Sequence, residues 1–410
     1  MSSNIEAVVS YFKSGIKEPG TVGRLGVELE HIVIDDDGSA VPYSDEHGSR
    51  WLLEQFSTML PKKTFGENGA LIGVTNDETS LSLEPAAQFE ISSGPYEQIG
   101  EIRLDFEGIQ REATHMLSPF GQRLVTIGYH PTAKAEELEI IPKNRYHHMD
   151  AHFQNIGPFG RCMMRGSAAT QISIDYYSES DCLRKMRLAS GLAPLFALLC
   201  DNSPVFEAAP RTHHLVRTEI WRECDPARCG LVPGIMDPGF SFEAYANYLL
   251  GTPAIFEIDE QGQTQATDKT FGELFAEKTM AQADVEHMVS LFFNDVRLKT
   301  YIEIRPADSM PTPYVVAYAA LIKGLFYNSD NLDSLDDMLE GVDAMAVDQA
   351  KTELMEHGYD ALVYGRPAGE LVNELLDKAR NGLRPIEKNY LSPLAQLARM
   401  RKSLAMLSKH

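Results

Sequence analysis

Four segments of the chain alternate apolar and polar residues at nearly every step, and a period of two confines them to a sheet with two unlike faces. In Gly26-Val27-Glu28-Leu29-Glu30-His31-Ile32, Glu28 and Glu30 point one way while Val27 and Leu29 point the other. In Leu81-Ser82-Leu83-Glu84 and, past Pro85, in Gln88-Phe89-Glu90-Ile91, the apolar residues again oppose the polar ones. The proline marks a bulge or a break between these halves. Gln171-Ile172-Ser173-Ile174-Asp175 and Tyr301-Ile302-Glu303-Ile304-Arg305 repeat the pattern.

The polar face is acidic, with Glu28, Glu30, Glu84, Glu90 and Glu303 and little lysine between them. Two readings compete. An antiparallel sheet often buries one face and leaves the other to water, and for any single strand that is the commoner meaning. A solvated face, however, tends to mix both signs of charge. Neighbouring carboxylates repel unless a cation lies among them, and ligands that are all oxygen suit Mg²⁺ or Mn²⁺ rather than zinc. Arg305 shares a face with Glu303. It either grips phosphate oxygens with its planar fork or simply neutralises the glutamate. A pair of glutamates acting on a glycosidic bond would leave three carboxylates and Arg305 without a role.

The rest of the chain narrows the partners. A net charge of −22 disfavours nucleic acid and anionic membranes, and admits a phosphate compound only where cations offset the field. No apolar run reaches the ~18–20 residues that span a bilayer, and Met1-Ser2-Ser3-Asn4 lacks the marks of a signal peptide. Cys162, Cys182, Cys200, Cys224 and Cys229 form an odd set without Cys-x-x-Cys spacing, as reduced thiols would. The expectation is a cytoplasmic protein that meets small molecules; nothing indicates its oligomeric state. His148 and His152 could hold zinc across one helical turn, with His147 beside them, but no third ligand stands at useful spacing. No Walker or dinucleotide loop and no nucleophile elbow is present.

Apolar residues at Ile99, Ile102, Phe106, Ile109, Ala113 and Met116 predict a helix with one buried stripe. Ser178-Glu179-Ser180-Asp181 has the form of a capping box, and Leu183 to Leu199 follows as a helix deep in the core. Beyond Pro311 the pattern is helical: Tyr314–Tyr327, Glu370–Arg380 and Leu391–Leu407, with an acidic stretch at 330–348 read as solvated faces.

These motifs resemble those of plant-type glutamate–cysteine ligases. Gly26-Val27-Glu28-Leu29-Glu30 is similar to the family's Gly-x-Glu-x-Glu, and Ser82-Leu83-Glu84-Pro85-Ala86-Ala87-Gln88-Phe89-Glu90 to its Ser-Leu-Glu-Pro-Gly-Gly-Gln-Phe-Glu. The resemblance continues in order through Gly128-Tyr129-His130-Pro131, Pro142-Lys143-Asn144-Arg145-Tyr146, Met163-Met164, Gln171 and Asp175. It ends with Asn202-Ser203-Pro204, Arg217-Thr218-Glu219-Ile220-Trp221, Asp225, Arg228 and the run from Tyr301 to Asp308.

The resemblance implies an α+β fold of the glutamine synthetase and guanido kinase type: a curved, mostly antiparallel sheet with a concave active-site face and helices outside. Residues 1–310 would form this catalytic part, and 311–410 a helical part packed on it. The implied chemistry is ATP-dependent carboxylate–amine ligation. The γ-carboxylate of glutamate is phosphorylated and the amine of cysteine attacks it, giving γ-glutamylcysteine for glutathione or related thiol synthesis. Glu28, Glu30, Glu84, Glu90 and Glu303 would hold Mg²⁺ or Mn²⁺, and Glu303 and Arg305 would act at the transferring phosphoryl group. Gln88, Lys143, Arg145, Gln171, Ser173, Arg217, Trp221 and Arg228 would bind ATP or the amino acids.

Three departures matter. Ala86-Ala87 replaces Gly-Gly, which is costly only where φ is positive. Ser173 replaces an asparagine and Thr218-Glu219 a Ser-His pair, changes that would reshape the acceptor pocket. A ligase for another amine therefore stays open. So does a non-catalytic, metal-stabilised binding protein, against which the retained glutamates and Arg305 argue.

Overall fold

The computed structural model describes residues 2–258 and 264–408. Nine strands form the main sheet: β1 (Leu25–Asp35), β2 (Lys62–Phe65), β3 (Leu71–Thr75), β4 (Thr79–Leu83), β5 (Phe89–Tyr96), β6 (Gln122–Val125), β7 (Ala169–Ile174), β8 (Val296–Leu298) and β9 (Ile302–Asp308). Their order is β8-β9-β7-β1-β5-β4-β3-β2, with β6 pairing the far end of β1, and every pairing is antiparallel.

Register carries the alternation across strands. Leu29 of β1 lies beside Ile91 of β5 and Val27 beside Ile172 of β7, while Ile172 and Ile174 lie beside Ile304 and Ile302 of β9; with Phe89 these share one face, and each is no more than 1% exposed. Burying a side chain of this size contributes roughly 1.5–3 kcal/mol, so this face sets the register. Helices α1 (Ile99–Leu117), α3 (Glu179–Leu199) and α5 (Thr312–Phe326) cover it. The opposite face is roofed by α2 (Asn144–Ile156), a π-helical turn at Cys162–Gly166 and α4 (Val216–Arg222).

The predicted helices form with local differences. In α1, Ile99, Ile102, Phe106 and Ala113 are buried as the stripe predicts, while Ile109 and Met116 are only half-buried at its margin. Ser178 caps α3 by accepting from the Asp181 backbone N–H at 3.0 Å. The helix expected over 391–407 is two pieces, Ser392–Met400 and Leu404–Leu407, separated by Arg401 in the left-handed region. The acidic stretch is not merely solvated: Asp336 pairs with Arg184 and Arg187 of α3. Just beyond it, buried Lys351 pairs with Asp295 at the start of β8. α5 meets α6 (Ala368–Gly382) where Gly324 would place a Cβ only 2.3 Å from the Ala379 carbonyl oxygen, so only glycine allows that approach.

The break at Pro85 is a hairpin turn rather than a bulge, since Leu83 pairs with Phe89 across it. Ala87 in this turn has φ +65° and is buried. Left-handed backbone costs alanine about 1–2 kcal/mol, but glycine would forfeit roughly 0.8 kcal/mol of methyl burial and about 0.5–1 kcal/mol of chain entropy. The terms nearly cancel. Ala87→Gly should therefore change the free energy of urea unfolding by less than about 1 kcal/mol; a gain above about 2 kcal/mol would show that backbone strain dominates.

Candidate active site

The polar face of the sheet is a continuous row. Ser82 of β4 lies beside Glu90 of β5, Glu90 beside Glu30 of β1, and Glu28 between Ser92 and Gln171. Farther along, Ser173 of β7 pairs with Glu303 of β9, and Glu303 with Arg297 of β8. A cavity of about 270 Å³ opens over the middle of this row. Glu28, Glu30, Glu84 and Glu90 form its acidic wall, with Gln88 and Gln171 beside them. Arg217, Arg297, Lys299 and Arg305 face them, and Lys143 and Arg145 of the roof complete the lining. Tyr146, Met149, Met163, Met164, Trp221 and Phe293 supply its apolar surface.

The carboxylates fall into two electrostatic classes. Burial, then the neighbouring carboxylate of Glu84, pushes Glu30 up to about 8. Burial and Glu303 raise Glu28, and burial and Glu28 raise Glu90. Only neutral donors hold Glu90, Ser82 Oγ at 2.9 Å and Ser92 Oγ at 3.0 Å, and Glu30 accepts from the Ala169 N–H at 2.8 Å and Gln171 Nε2 at 3.2 Å. Glu303 is the opposite case. Burial alone would raise it, but Arg297, Lys299 and Arg305 hold it well below the usual carboxylate range. Arg297 Nη2 is 2.6 Å and Arg305 Nη1 2.7 Å from Oε2, while Lys299 Nζ is 2.9 Å from Oε1.

Other cations are fixed by what surrounds them. Arg217 stacks on Trp221 with its guanidinium 3.8 Å from the ring centroid, and its Nε donates to the Arg305 carbonyl at 3.2 Å. Trp221 is held by its own N–H on the Phe293 carbonyl at 2.9 Å. Arg305 Nη1 also donates to Gln171 Oε1. Among the described residues, two cavity arginines have a buried donor without a partner, Nε of Arg145 and Nε of Arg305. Unpaired guanidinium N–H groups beside raised carboxylates fit a ligand that brings anionic oxygens together with a hard dication. Glu28, Glu30, Glu84 and Glu90 are the oxygen donors available to such an ion. Among the described residues, no three acidic, histidine or cysteine side chains converge closely enough to ligate one.

Several expectations need correction. The basin is not acidic alone: it faces a matching set of arginines and lysines, of which Arg297 and Lys299 were missed. Val296-Arg297-Leu298-Lys299 alternates just as the acidic strands do, so the signal was there. Glu303 lies outside the cavity lining: it has no exposed surface, and three cations enclose and balance its charge. Arg228 is a structural residue. It is 1% exposed, pairs with Asp225 at 2.6 Å and donates to the Pro253 carbonyl. Gln88 borders the cavity, but its amide nitrogen contacts the carbonyls of Met164, Arg165 and Ser167 and its oxygen accepts from the Ala86 N–H, so it braces the π-helical turn. Ser173 faces an adjoining cavity of about 370 Å³, and Glu219 contacts His213 outside both. The histidines do not converge: His148 meets Thr264 and His152 meets Asp225.

Two predictions follow from the two classes. Glu303→Gln leaves two buried arginines and the half-buried Lys299 without their shared carboxylate, and should cost about 3–5 kcal/mol of unfolding free energy in urea. A loss below about 1 kcal/mol would mean that the cations find other partners. Glu30 has a raised folded pKa, so its contribution is fully present below the unfolded value of 4.5 and is lost as pH rises through about 8. In chelator, wild-type stability should fall over that window more steeply than that of Glu30→Gln. Parallel profiles would contradict the assignment.

Residues 24–400 match the family glutamate–cysteine ligase family 2 (GCS2). The chain is 29% identical over 340 residues to the chloroplastic glutamate–cysteine ligase of Arabidopsis thaliana, covering 81% of this chain and 65% of that one. It is 28% identical over 386 residues to chloroplastic glutamate–cysteine ligase B of Oryza sativa subsp. japonica, covering 92% and 77%. Its fold resembles that of a glutamate–cysteine ligase of Francisella tularensis solved with AMP, at TM-score 0.58 and 10% identity, covering 95% of this chain and 84% of the other. The α+β class with an open antiparallel sheet is thus shared, and with the match running through every strand of the polar face, the chain belongs to glutamate–cysteine ligase family 2.

Proposed function

We propose that this protein is an ATP-dependent ligase that joins the γ-carboxyl of glutamate to the amino group of cysteine. The observation that carries the reading is the opposition of acid and base across one cavity. Glu28, Glu30 and Glu90 are carboxylates in want of a cation, and Arg217 and Arg305 are fixed donors in the same cavity, with Arg145 beside them. ATP delivered with Mg²⁺ satisfies both sides at once. In the first step, a γ-carboxylate oxygen of glutamate bonds to the γ-phosphorus of ATP and the bond to ADP breaks. In the second, the amine attacks the acyl carbon, inorganic phosphate leaves, and the nitrogen loses a proton.

The chain's own residues mainly position and stabilise charge, as phosphoryl transfer requires. Gln171, Glu303 and the backbone carbonyl contact with Arg217 hold the Arg305 segment, leaving Arg305 Nε to meet phosphoryl oxygens. Arg217, flattened on Trp221, offers its fork to a substrate carboxylate. Mg²⁺ held by the acidic wall would neutralise charge on the phosphates. The adjoining cavity shares Glu28 with the first and carries hydroxyls of Ser80, Ser92, Ser93 and Ser173, which suits the nucleoside end of ATP.

Family membership supports cysteine as the acceptor. Ser173 and Glu219, the departures that would have altered an acceptor pocket, both lie outside the central cavity. The test is phosphate release from Mg·ATP with glutamate fixed and a panel of amines, with the product mass determined. Stimulation by cysteine with γ-glutamylcysteine formed is expected. Stimulation by a different amine alone would keep the chemistry and replace the acceptor, and no release with any amine would overturn the reading.

A further inference from the structure

Gln88 holds two segments of the cavity together. Its main chain belongs to the hairpin turn that carries Glu84, where the Glu84 N–H donates to the Gln88 carbonyl at 3.0 Å. Its side-chain oxygen accepts from the Ala86 N–H of the same turn at 2.8 Å. The amide nitrogen reaches across to the π-helical turn. It lies 3.3 Å, 3.1 Å and 3.0 Å from the carbonyl oxygens of Met164, Arg165 and Ser167. The residue is only 4% exposed, so water cannot replace these bonds. Single π-helical turns are rare and occur frequently at functional sites. The carbonyls of this one are met from outside the helical ladder. The Ser167 hydroxyl donates to Met163 at 2.7 Å, the His130 N–H donates to Gly166 at 2.8 Å, and Gln88 serves the others.

Both segments line the central cavity, one with Glu84 and Pro85, the other with Met163, Met164 and Ser167. They are not held equally. The hairpin turn is also fixed by the Ala87 N–H on the Glu84 carbonyl at 2.9 Å, the Ser49 hydroxyl on the Ala87 carbonyl at 2.7 Å and the Ile141 N–H on the Pro85 carbonyl at 2.9 Å. The π-helical turn has Arg165 paired with Asp150 of α2 at 2.6 Å, which ties it to the roof rather than to the acidic wall. Loss of the Gln88 amide would therefore leave Glu84 in place and release the methionines.

With the nucleoside end in the adjoining cavity, the groups that enter the central one are mostly charged: phosphates, carboxylates and an amine. The CH₂–SH of the acceptor is an apolar, polarisable end, and thioether sulfurs and aromatic rings suit it. Met163 and Met164, with Met149 of α2 and Phe293, supply that surface. We infer that Met163 and Met164 seat the side chain of the acceptor amino acid, and that Gln88 is the positioning residue that sets this seat against the acidic wall. The inference rests on the ligase reading.

The test is steady-state kinetics of the full chain, with KM measured separately for glutamate, Mg·ATP and cysteine, or for whichever amine the wild type accepts. Gln88→Met keeps the length and removes the amide, and Gln88→Glu sets a carboxylate against carbonyl oxygens. Each should raise KM for the acceptor about five- to twentyfold, with the other two KM values within about twofold of wild type. Ser167→Ala removes only the hydroxyl on the Met163 carbonyl and should raise the acceptor KM about two- to fourfold. It decides the question where circular dichroism and thermal melting show that neither Gln88 variant folds. A residue that merely supports folding would lower kcat through fewer active molecules and leave every KM unchanged. That result, or an equal rise in all three KM values, overturns this inference alone. A wild type that releases no phosphate from Mg·ATP with any amine overturns the ligase reading and this inference with it.

Discussion

Glu303 has no exposed surface, yet it is the carboxylate on which Arg297, Lys299 and Arg305 converge. That ion cluster joins the two strands of the β8–β9 hairpin to each other and presents their cationic side to the acidic residues of β1 and β5. A buried ion pair contributes little net stability compared with a hydrophobic replacement, but removing one partner is costly. The cluster is better understood as a device that holds positive charge at a fixed place than as a source of stability.

The opposite wall has the reverse problem. Glu30 and Glu90 face each other across β1 and β5 with only serine, glutamine and backbone donors to hold them, and Glu28 follows on the same face. Such an arrangement is unfavourable by itself, and the apolar face of the sheet must outweigh it. Val27, Leu29, Ile91 and Ile304 sit on the reverse of the very strands that carry the acids. A slip of one residue in register would exchange the faces. The alternation that builds the core thus also holds the carboxylates in place.

Much of this was legible in the residues, and the reasons are specific. Period-two alternation found the strands and gathered Glu28, Glu30 and Glu90 on one face, since side-chain direction in a strand follows from backbone geometry. The same alternation runs through Val296-Arg297-Leu298-Lys299, but its strand is only three residues long, too short for a period of two to stand out. Arg228 went the other way. A motif suggested a binding role, while Asp225, three residues earlier, already offered the pairing that the fold uses. The break at Arg401 and the tie between Lys351 and Asp295 had no local signal, because the first involves neither glycine nor proline and the second joins residues far apart in sequence.

In the proposed reaction the opposed charges serve transfer of a phosphoryl group to a carboxylate. The most direct measurement follows oxygen rather than rate. Glutamate labelled with ¹⁸O in its γ-carboxyl group is turned over with Mg·ATP and cysteine, and the inorganic phosphate is weighed by mass spectrometry. An acyl-phosphate route passes one ¹⁸O atom from each glutamate to the phosphate released. Phosphate that carries no label while γ-glutamylcysteine accumulates would contradict the account.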